Sequence, residues 1–283
     1  VIKFNIKNTP VRIVLPEKTL KETKKLLIYI HGGGWVFNNV DIYEAFLKKM
    51  ARETDMAILG IDYRKAPEHP YPAAFDDCLK VVNFLLHKEA LPKSLENQPA
   101  LQKVFKFIDT NQMIIGGDSA GGNLASAITT YLRDNPPKHD KGIYAQFLIY
   151  PALHYITRNI TAFPSYVNPG SSCYFVDQYN GQDMWNAYAG PNQKKLLAHP
   201  DPYFEPWMVK SVKGLPPTLM LLATFDPLAS EGREYLQRLK DASIPTKLIE
   251  KPTYHGFARN YKGQDINRAL QQFCQEHDPT TKH

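Results

Sequence analysis

Seven continuous apolar runs, separated by stretches with helical spacing, narrow the possible folds of this chain more than any other property. The runs cover residues 11–16, 25–30, 56–63, 112–117, 145–151, 218–225 and 246–251. Most are apolar throughout, which is typical of strands buried on both faces of a sheet. Helical spacing predicts helices over 73–88, 121–135, 231–242 and 264–276. Alternating strands and helices predict a parallel sheet with helices on both faces, so the expected class is α/β.

One stretch interrupts this alternation. Residues 152–210 are rich in Pro, Gly, Asn, Tyr and Trp and show no clear period. A loop of this length inside a compact domain usually forms a lid or a small subdomain. We therefore expect one domain over 1–283 in which 152–210 contributes a cap or lid. The alternative is a plain irregular excursion on the surface.

A candidate nucleophile lies in the sequence GDSAG at 117–121, which matches the G-x-S-x-G pattern. It follows a predicted strand and precedes a predicted helix, which is the context that the pattern requires. The turn is sharp enough that side chains two positions before and after the serine would collide with it, so glycine is expected at both. Ser119 is then the nucleophile, and it needs a base. The alternative is a glycine-rich helix cap without chemistry.

Two later strand ends supply a base and an acid. Asp226 follows the run at 218–225, and His255 lies in a turn after the next run. Ligands of parallel sheets bind beyond the carboxyl ends of the strands, so we expect both side chains near Ser119. His255 would take the serine proton, and Asp226 would orient the imidazole. Glu231 competes for the acid role, but it begins a helix, where a carboxylate interacts favourably with the helix dipole.

The sequence HGGG at 31–34 follows the run at 25–30. Acyl transfer creates a negatively charged oxygen that needs preorganised donors at about 2.7–3.1 Å. Backbone N–H groups can approach it only where no bulky side chain intervenes, so the predicted donors are Gly33, Gly34 and Ala120. We expect His31 to support this loop. A phosphate-binding loop fits less well, because G-x-G-x-x-G and GK[ST] are both missing. The other alternative is a merely flexible loop.

Five motifs together resemble one enzyme family. They are HGGGW at 31–35, DYRKAPEHPYPAAFDD at 62–77, GDSAGGNLA at 117–125, FDPLASEG at 225–232 and YHGF at 254–257. In this order they resemble the hormone-sensitive-lipase-like branch of the α/β-hydrolases, in particular arylacetamide deacetylases and microbial carboxylesterases. The resemblance implies a mostly parallel eight-stranded sheet, a cap, and no cofactor or metal. It implies hydrolysis of short- to medium-chain esters, and in some members amides, by the triad Ser119, Asp226 and His255.

The segment ahead of the HGGG motif departs from the family. Members usually carry more than the 30 residues that precede His31 here, as part of the cap or, in the deacetylases, as a membrane anchor. We therefore expect a more open acyl pocket. Trp35 and Phe37 are candidate substrate-binding residues, with a place in the core as the alternative for each. The segment 62–77 is expected to brace the HGGG loop.

Charge and composition disfavour several other classes of protein. The formal net charge is +6 without a basic block, which disfavours nucleic acid as a partner. No run reaches the roughly 18 apolar residues of a membrane span, and no signal peptide is visible. Cysteine and histidine spacing matches no metal site. Cys78, Cys173 and Cys274 leave open one disulfide with one free thiol, and the sequence leaves open the compartment and the oligomeric state.

The expected function is a serine carboxylesterase that acts on a small-molecule ester through an acyl-enzyme. A non-catalytic small-molecule receptor on the same fold is the alternative. The plant hormone receptors that resemble these esterases have lost the triad histidine, whereas His255 is present here. A related dehydratase activity occurs where threonine replaces the serine, and Ser119 disfavours it.

Overall fold

The computed structural model describes residues 1–16, 22–87, 99–136, 142–168, 178–261 and 263–280. The first elements are β1 (Ile2–Ile6), β2 (Thr9–Val14), β3 (Lys24–Ile30), α1 (Val40–Thr54) and β4 (Ala57–Ile61). They are followed by α2 (Ala73–Leu86), α3 (Pro99–Lys106), β5 (Ile108–Asp118), α4 (Ala120–Asp134) and β6 (Ile143–Ile149).

The second half of the chain begins with short helices. These are α5 (Pro164–Val167), α6 (Gln178–Ala189) and α7 (Gln193–Ala198), with single 3₁₀ turns at Ile156–Arg158, Gly190–Asn192 and Pro206–Met208. The chain then returns to strands and longer helices: β7 (Thr218–Phe225), α8 (Ala229–Asp241), β8 (Thr246–Tyr254), a 3₁₀ turn at Phe257–Asn260, and α9 (Asp265–Glu276).

The eight strands of the described ranges form one sheet in the order β1-β2-β4-β3-β5-β6-β7-β8. Strand β2 pairs antiparallel with β1 and with β4, and the remaining neighbours are parallel. The parallel strands therefore share one carboxyl edge, where β3, β5, β7 and β8 all end. The predicted mostly parallel eight-stranded sheet is confirmed.

Strand β3 shows why the apolar runs are continuous. Leu26, Ile28 and Ile30 pack into one hydrophobic core, which also holds side chains of α2, α4 and α8. Leu27 and Tyr29 point to the opposite face and pack into a second core with side chains of α1 and α9. Because successive side chains of a strand alternate between faces, a strand covered by helices on both sides needs apolar residues at every position.

The first strand was not among the predicted elements. Strand β1 (Ile2–Ile6) lies at the edge of the sheet and buries only Phe4 and Ile6, so its apolar signal is weak. Lys7 and Asn8 join it to β2 with positive φ angles of 48° and 70°, the backbone form of a tight hairpin turn. Helices α1 and α3 were also not among the predicted elements. Each of the predicted strands and helices matches an observed one within a few residues at its ends.

Candidate active site

Ser119 sits at a tight turn between β5 and α4. Its φ of 55° and ψ of −120° are unusual for a residue other than glycine. A Cβ at Gly121 would lie 2.0 Å from the carbonyl oxygen of Ile30, and one at Gly117 would lie 2.4 Å from the same oxygen. The glycines are therefore needed where the turn presses against the end of β3 and against itself. The expected collision with the serine is therefore corrected to a collision with the end of β3 and with the backbone of the turn.

The side chains of Ser119, His255 and Asp226 form a chain of hydrogen bonds. The Nε2 atom of His255 lies 2.9 Å from the Oγ atom of Ser119, and its Nδ1 atom lies 2.7 Å from Oδ2 of Asp226. An ionised carboxylate can only accept, so Nδ1 donates its hydrogen to Asp226. In the neutral ring this leaves Nε2 as the acceptor for the serine hydroxyl. The geometry thus presents a base to Ser119 in the required tautomer.

Asp226 is enclosed and fully paired. Its exposure is 0%, and its Oδ1 atom accepts a hydrogen bond of 2.8 Å from the N–H of Leu228. With Oδ2 paired to His255, both carboxylate oxygens have partners, which fixes the plane of the carboxylate. The ring of Tyr150 packs 4.6 Å from the imidazole of His255. The charged pair that forms during proton transfer would therefore lie in a largely dry environment, where electrostatic stabilisation is strong.

The HGGGW loop, residues 31–35, presents free backbone donors. The N–H of Gly32 is already used, because it donates to Asp118 and to the hydroxyl of Tyr43. By contrast, no acceptor in the described ranges takes the N–H of Gly33, Gly34 or Ala120. Backbone N–H groups without an acceptor are what an oxyanion requires. The assignment of these three residues to an oxyanion hole remains a prediction.

Asp118, directly before Ser119, supports the candidate site and was not singled out from the sequence. Its buried carboxylate accepts hydrogen bonds from the hydroxyl of Tyr29 at 2.8 Å, from the N–H of Gly32 at 3.0 Å and from the hydroxyl of Tyr43 at 2.7 Å. Burial, and then the nearby Asp118 carboxylate, raise the pKa of both tyrosines, so they stay protonated donors. Asp118 therefore ties the serine turn to the HGGGW loop. An acidic residue directly before the serine is the signal that could have indicated it.

His31 supports the loop, as the sequence suggested. Its Nδ1 atom lies 2.8 Å from the carbonyl oxygen of Gly32, and its ring stacks on Tyr63 at 4.4 Å. The hydroxyl of Tyr63 donates to the carbonyl of His31 at 2.9 Å. Ala66 also donates its N–H to the carbonyl of Trp35 at 3.0 Å. The segment 62–77 thus holds the loop from one side.

The two candidate pocket residues occupy different environments. Trp35 is 2% exposed and stacks on Tyr188 at 4.5 Å, so it belongs to the core. Phe37 is 59% exposed and lies two residues after the HGGGW loop. Trp35 therefore occupies the core position that was the alternative to a place in the pocket. Phe37 is exposed and can contact a substrate. A substrate-binding role for either residue remains a prediction.

Glu231 does not take the place of Asp226. Its carboxylate is fully buried, accepts a hydrogen bond of 2.7 Å from the N–H of Leu153, and pairs with the hydroxyl of Tyr166. Burial raises the pKa of Glu231 to about 8. A group that keeps its proton at neutral pH would stabilise an imidazolium less than an ionised carboxylate would, and the partner of His255 is Asp226.

The raised pKa of Glu231 predicts a pH-dependent stability. Glu231 ionises near pH 4.5 in the unfolded chain but keeps its proton to about pH 8 in the folded chain. The folded state therefore binds more protons between these values, and stability falls as pH rises. Relative to Glu231→Gln, the wild-type free energy of unfolding should fall by up to about 1.4 kcal/mol per pH unit in this window. Urea unfolding at pH 5 to 9 measures it.

The matched control for Glu231→Gln is Glu234→Gln, which should not change how the free energy of unfolding depends on pH. Glu234→Gln removes an exposed carboxylate of the same helix, α8. A constant difference in unfolding free energy between wild type and Glu231→Gln across pH 5 to 9 would contradict the raised pKa.

The described ranges contain neither a metal-binding cluster nor a membrane-spanning helix. No group of three or more His, Cys, Asp or Glu side chains there is arranged to hold a metal ion. No helix in this part of the chain has both the length and the apolar character to cross a membrane. Cys78 and Cys274 are buried free thiols, and Cys173 lies outside the described residues.

Comparison with known proteins places this chain in a family. A model of the family described as the alpha/beta hydrolase fold matches residues 27–259. The chain belongs to the α/β-hydrolase family. This α/β-hydrolase is 30% identical over 231 residues to the carboxylic ester hydrolase LipN of Mycobacterium tuberculosis, a match that covers 79% of the chain and 54% of LipN. It is 32% identical over 168 residues to arylacetamide deacetylase of Oryctolagus cuniculus, covering 59% of the chain and 38% of that protein.

Solved structures agree with this placement. A bacterial heroin esterase superposes on the α/β-hydrolase with a TM-score of 0.77 and 26% identity, covering 95% of this chain and 79% of its own. The predicted α/β-hydrolase fold and the resemblance to the hormone-sensitive-lipase-like branch are confirmed. The chain spans about half the length of LipN, and less of the deacetylase.

Proposed function

We propose that this α/β-hydrolase is a serine carboxylesterase that hydrolyses short- to medium-chain esters, and some aryl amides, through an acyl-enzyme. The observation that carries the proposal is the hydrogen-bonded chain from Ser119 through His255 to Asp226, at 2.9 and 2.7 Å. Similarity to a carboxylic ester hydrolase and to a heroin esterase supports the same reaction class. The intact chain of three side chains disfavours a non-catalytic receptor.

In the acylation step, the Oγ atom of Ser119 attacks the carbonyl carbon of the ester while its proton passes to Nε2 of His255. The carbonyl oxygen gains negative charge, which the N–H groups of Gly33, Gly34 and Ala120 would stabilise. Removing one such donor from an enzyme of this kind costs about 10²- to 10³-fold in kcat. When the tetrahedral intermediate collapses, the alcohol leaves with the proton from His255, and the acyl group stays on Ser119.

Deacylation repeats the same chemistry with water. His255 takes a proton from the attacking water, and the new oxyanion occupies the same donors. Collapse then releases the carboxylic acid and returns the proton to the Oγ atom of Ser119. Asp226 stays ionised throughout and stabilises the imidazolium that forms twice in each cycle.

We further propose that the segment 152–210 acts as the cap of this site. Helix α6 of this segment lies on the HGGGW loop, because Trp185 and Tyr188 contact the ring of Trp35. A lid over the reacting atoms excludes water and strengthens electrostatic interactions within the site. Phe37 is the exposed aromatic residue beside this loop and is proposed to contact the acyl or alcohol group.

A chain-length series tests the reaction class. Purified protein should release p-nitrophenol from acetate, butyrate and octanoate esters, with a maximum of kcat/KM at a short or medium chain. An aryl acetamide should react more slowly, because amide nitrogen is a poorer leaving group. Failure to hydrolyse any ester or amide in the series, by a folded protein, would contradict the proposal.

A further inference from the structure

Helix α6 presses directly on the predicted oxyanion loop. The side chain of Met184 covers Gly34 so closely that a Cβ on this glycine would lie 2.0 Å from the Met184 sulfur. Gly34 itself has a φ of +60°. Met184 therefore contacts the backbone of a residue that is predicted to donate to the oxyanion.

Two aromatic side chains of helix α6 contact Trp35, the residue after Gly34. The ring of Tyr188 stacks on Trp35 at 4.5 Å with an interplanar angle of 2°, and Trp185 contacts Trp35 at 4.3 Å. Trp35, Trp185 and Tyr188 are at most 2% exposed. Two close ring contacts on a buried side chain restrict the movement of the Trp35 ring, and they therefore also restrict the backbone that carries it.

Helix α6 is anchored in turn to the segment on the other side of the loop. The carbonyl of Tyr188 accepts a hydrogen bond of 2.7 Å from the N–H of Tyr71. The carbonyl of Trp35 accepts one of 3.0 Å from the N–H of Ala66. The loop is thus enclosed between α6 and the segment 66–71.

The loop needs such support because of its backbone. Gly33, Gly34 and Trp35 have consecutive positive φ values of 125°, 60° and 60°. Positive φ is unfavourable for a bulky residue such as tryptophan and persists only where the surroundings enforce it. The direction of each N–H group depends on these angles. Contacts that hold Gly34 and Trp35 therefore also set the direction of the donors.

We infer that Met184, Trp185 and Tyr188 are positioning residues, through which helix α6 holds the N–H groups of Gly33 and Gly34 in the orientation that the oxyanion requires. This inference rests on the proposed esterase function. It assigns helix α6 a role in transition-state stabilisation in addition to its proposed place in the cap. Loss of the contacts should weaken binding of the transition state more than binding of the substrate.

The test compares two disruptive variants with two conservative ones. Met184→Ala and Tyr188→Leu remove the contacts, whereas Met184→Leu keeps the side-chain volume and Tyr188→Phe keeps the ring. For each variant, kcat and KM are measured with p-nitrophenyl butyrate. The inhibition constant is measured with a trifluoromethyl ketone of the same chain length, which forms an oxyanion on the serine. Melting temperatures report whether each variant folds.

The disruptive variants should lower kcat by about 10- to 100-fold, less than the loss of a whole donor, with KM changed by less than about three-fold. The inhibition constant should rise by the same factor as kcat/KM falls. Met184→Leu and Tyr188→Phe should stay near the wild-type values. Met184 is only half-buried, so its replacement by alanine should perturb folding less. If Tyr188→Leu does not fold, Met184→Ala alone tests the positioning role of helix α6.

Three results would overturn the inference. The first is folded disruptive variants with wild-type kcat. The second is a rise in KM at unchanged kcat, which would make α6 a substrate-binding element instead. The third is a fall in kcat without any change in the inhibition constant. A wild-type protein that hydrolyses no ester would overturn the proposed function itself, and is distinguished from these by the wild-type assay alone.

Discussion

Replacing Ser119 with alanine should lower kcat for p-nitrophenyl butyrate by about 10⁵- to 10⁶-fold. The reason is that the variant lacks the hydroxyl that the Nε2 atom of His255 faces at 2.9 Å, and with it the atom that is proposed to form the acyl-enzyme. Binding of the ester should change little, because the hydroxyl contributes to the reaction more than to substrate affinity. Steady-state kinetics on freshly purified protein measures the loss.

The control for this variant is Ser211→Ala, which alters an exposed serine and should keep wild-type activity. The Ser119→Ala protein should still hydrolyse the ester somewhat faster than the uncatalysed reaction. In this variant water can attack the ester carbonyl directly, and the oxyanion donors can still stabilise the charge that develops. A folded Ser119→Ala protein that retains a tenth of the wild-type kcat would contradict the role of this serine.

The second large effect is expected for Asp226→Asn, which should lower kcat by about 10⁴-fold. The amide NH₂ of asparagine would donate to Nδ1 of His255, so the hydrogen of the neutral ring would move to Nε2. A protonated Nε2 cannot accept the proton of Ser119. The same substitution keeps the size of the side chain, so the melting temperature should fall far less than the activity.

Two further variants complete this comparison. Asp241→Asn changes an exposed carboxylate of helix α8 and should leave kcat unchanged. Glu231→Gln should also retain activity near neutral pH, because Glu231 keeps its proton there and contacts Leu153 and Tyr166. If Glu231→Gln lost activity while Asp226→Asn kept it, Glu231 would be the catalytic acid and our assignment would be wrong.

The main elements of the fold could be predicted because local signals and global architecture agree. Strand β7 was predicted with its observed bounds, 218–225, because it is apolar and ends before Asp226-Pro227. Strand β1 escaped prediction because an edge strand needs few buried residues. The helices between 152 and 210 escaped it for a different reason. They pack through aromatic residues such as Trp185 on partners far away in sequence, and this leaves no amphipathic period.

The candidate triad could be predicted because each of its residues directly follows a strand of the parallel part of the sheet. Parallel strands bring their carboxyl ends to one edge, so order along the chain was enough to suggest proximity. The support of the HGGGW loop could not be predicted in this way. Asp118 meets Tyr43 across 75 residues, and Met184 meets Gly34 across the fold. Such contacts depend on the relative placement of elements, which no local pattern encodes.

Covalent labelling tests the central claim most directly. A p-nitrophenyl alkylphosphonate should inactivate the wild-type protein with one phosphonyl group per chain, and peptide mass spectrometry should place that group on Ser119. Labelling should be absent in Ser119→Ala and much slower in His255→Ala, because the serine then lacks its base. Complete inactivation with the label on another residue, or labelling of Ser119→Ala at the wild-type rate, would contradict the account.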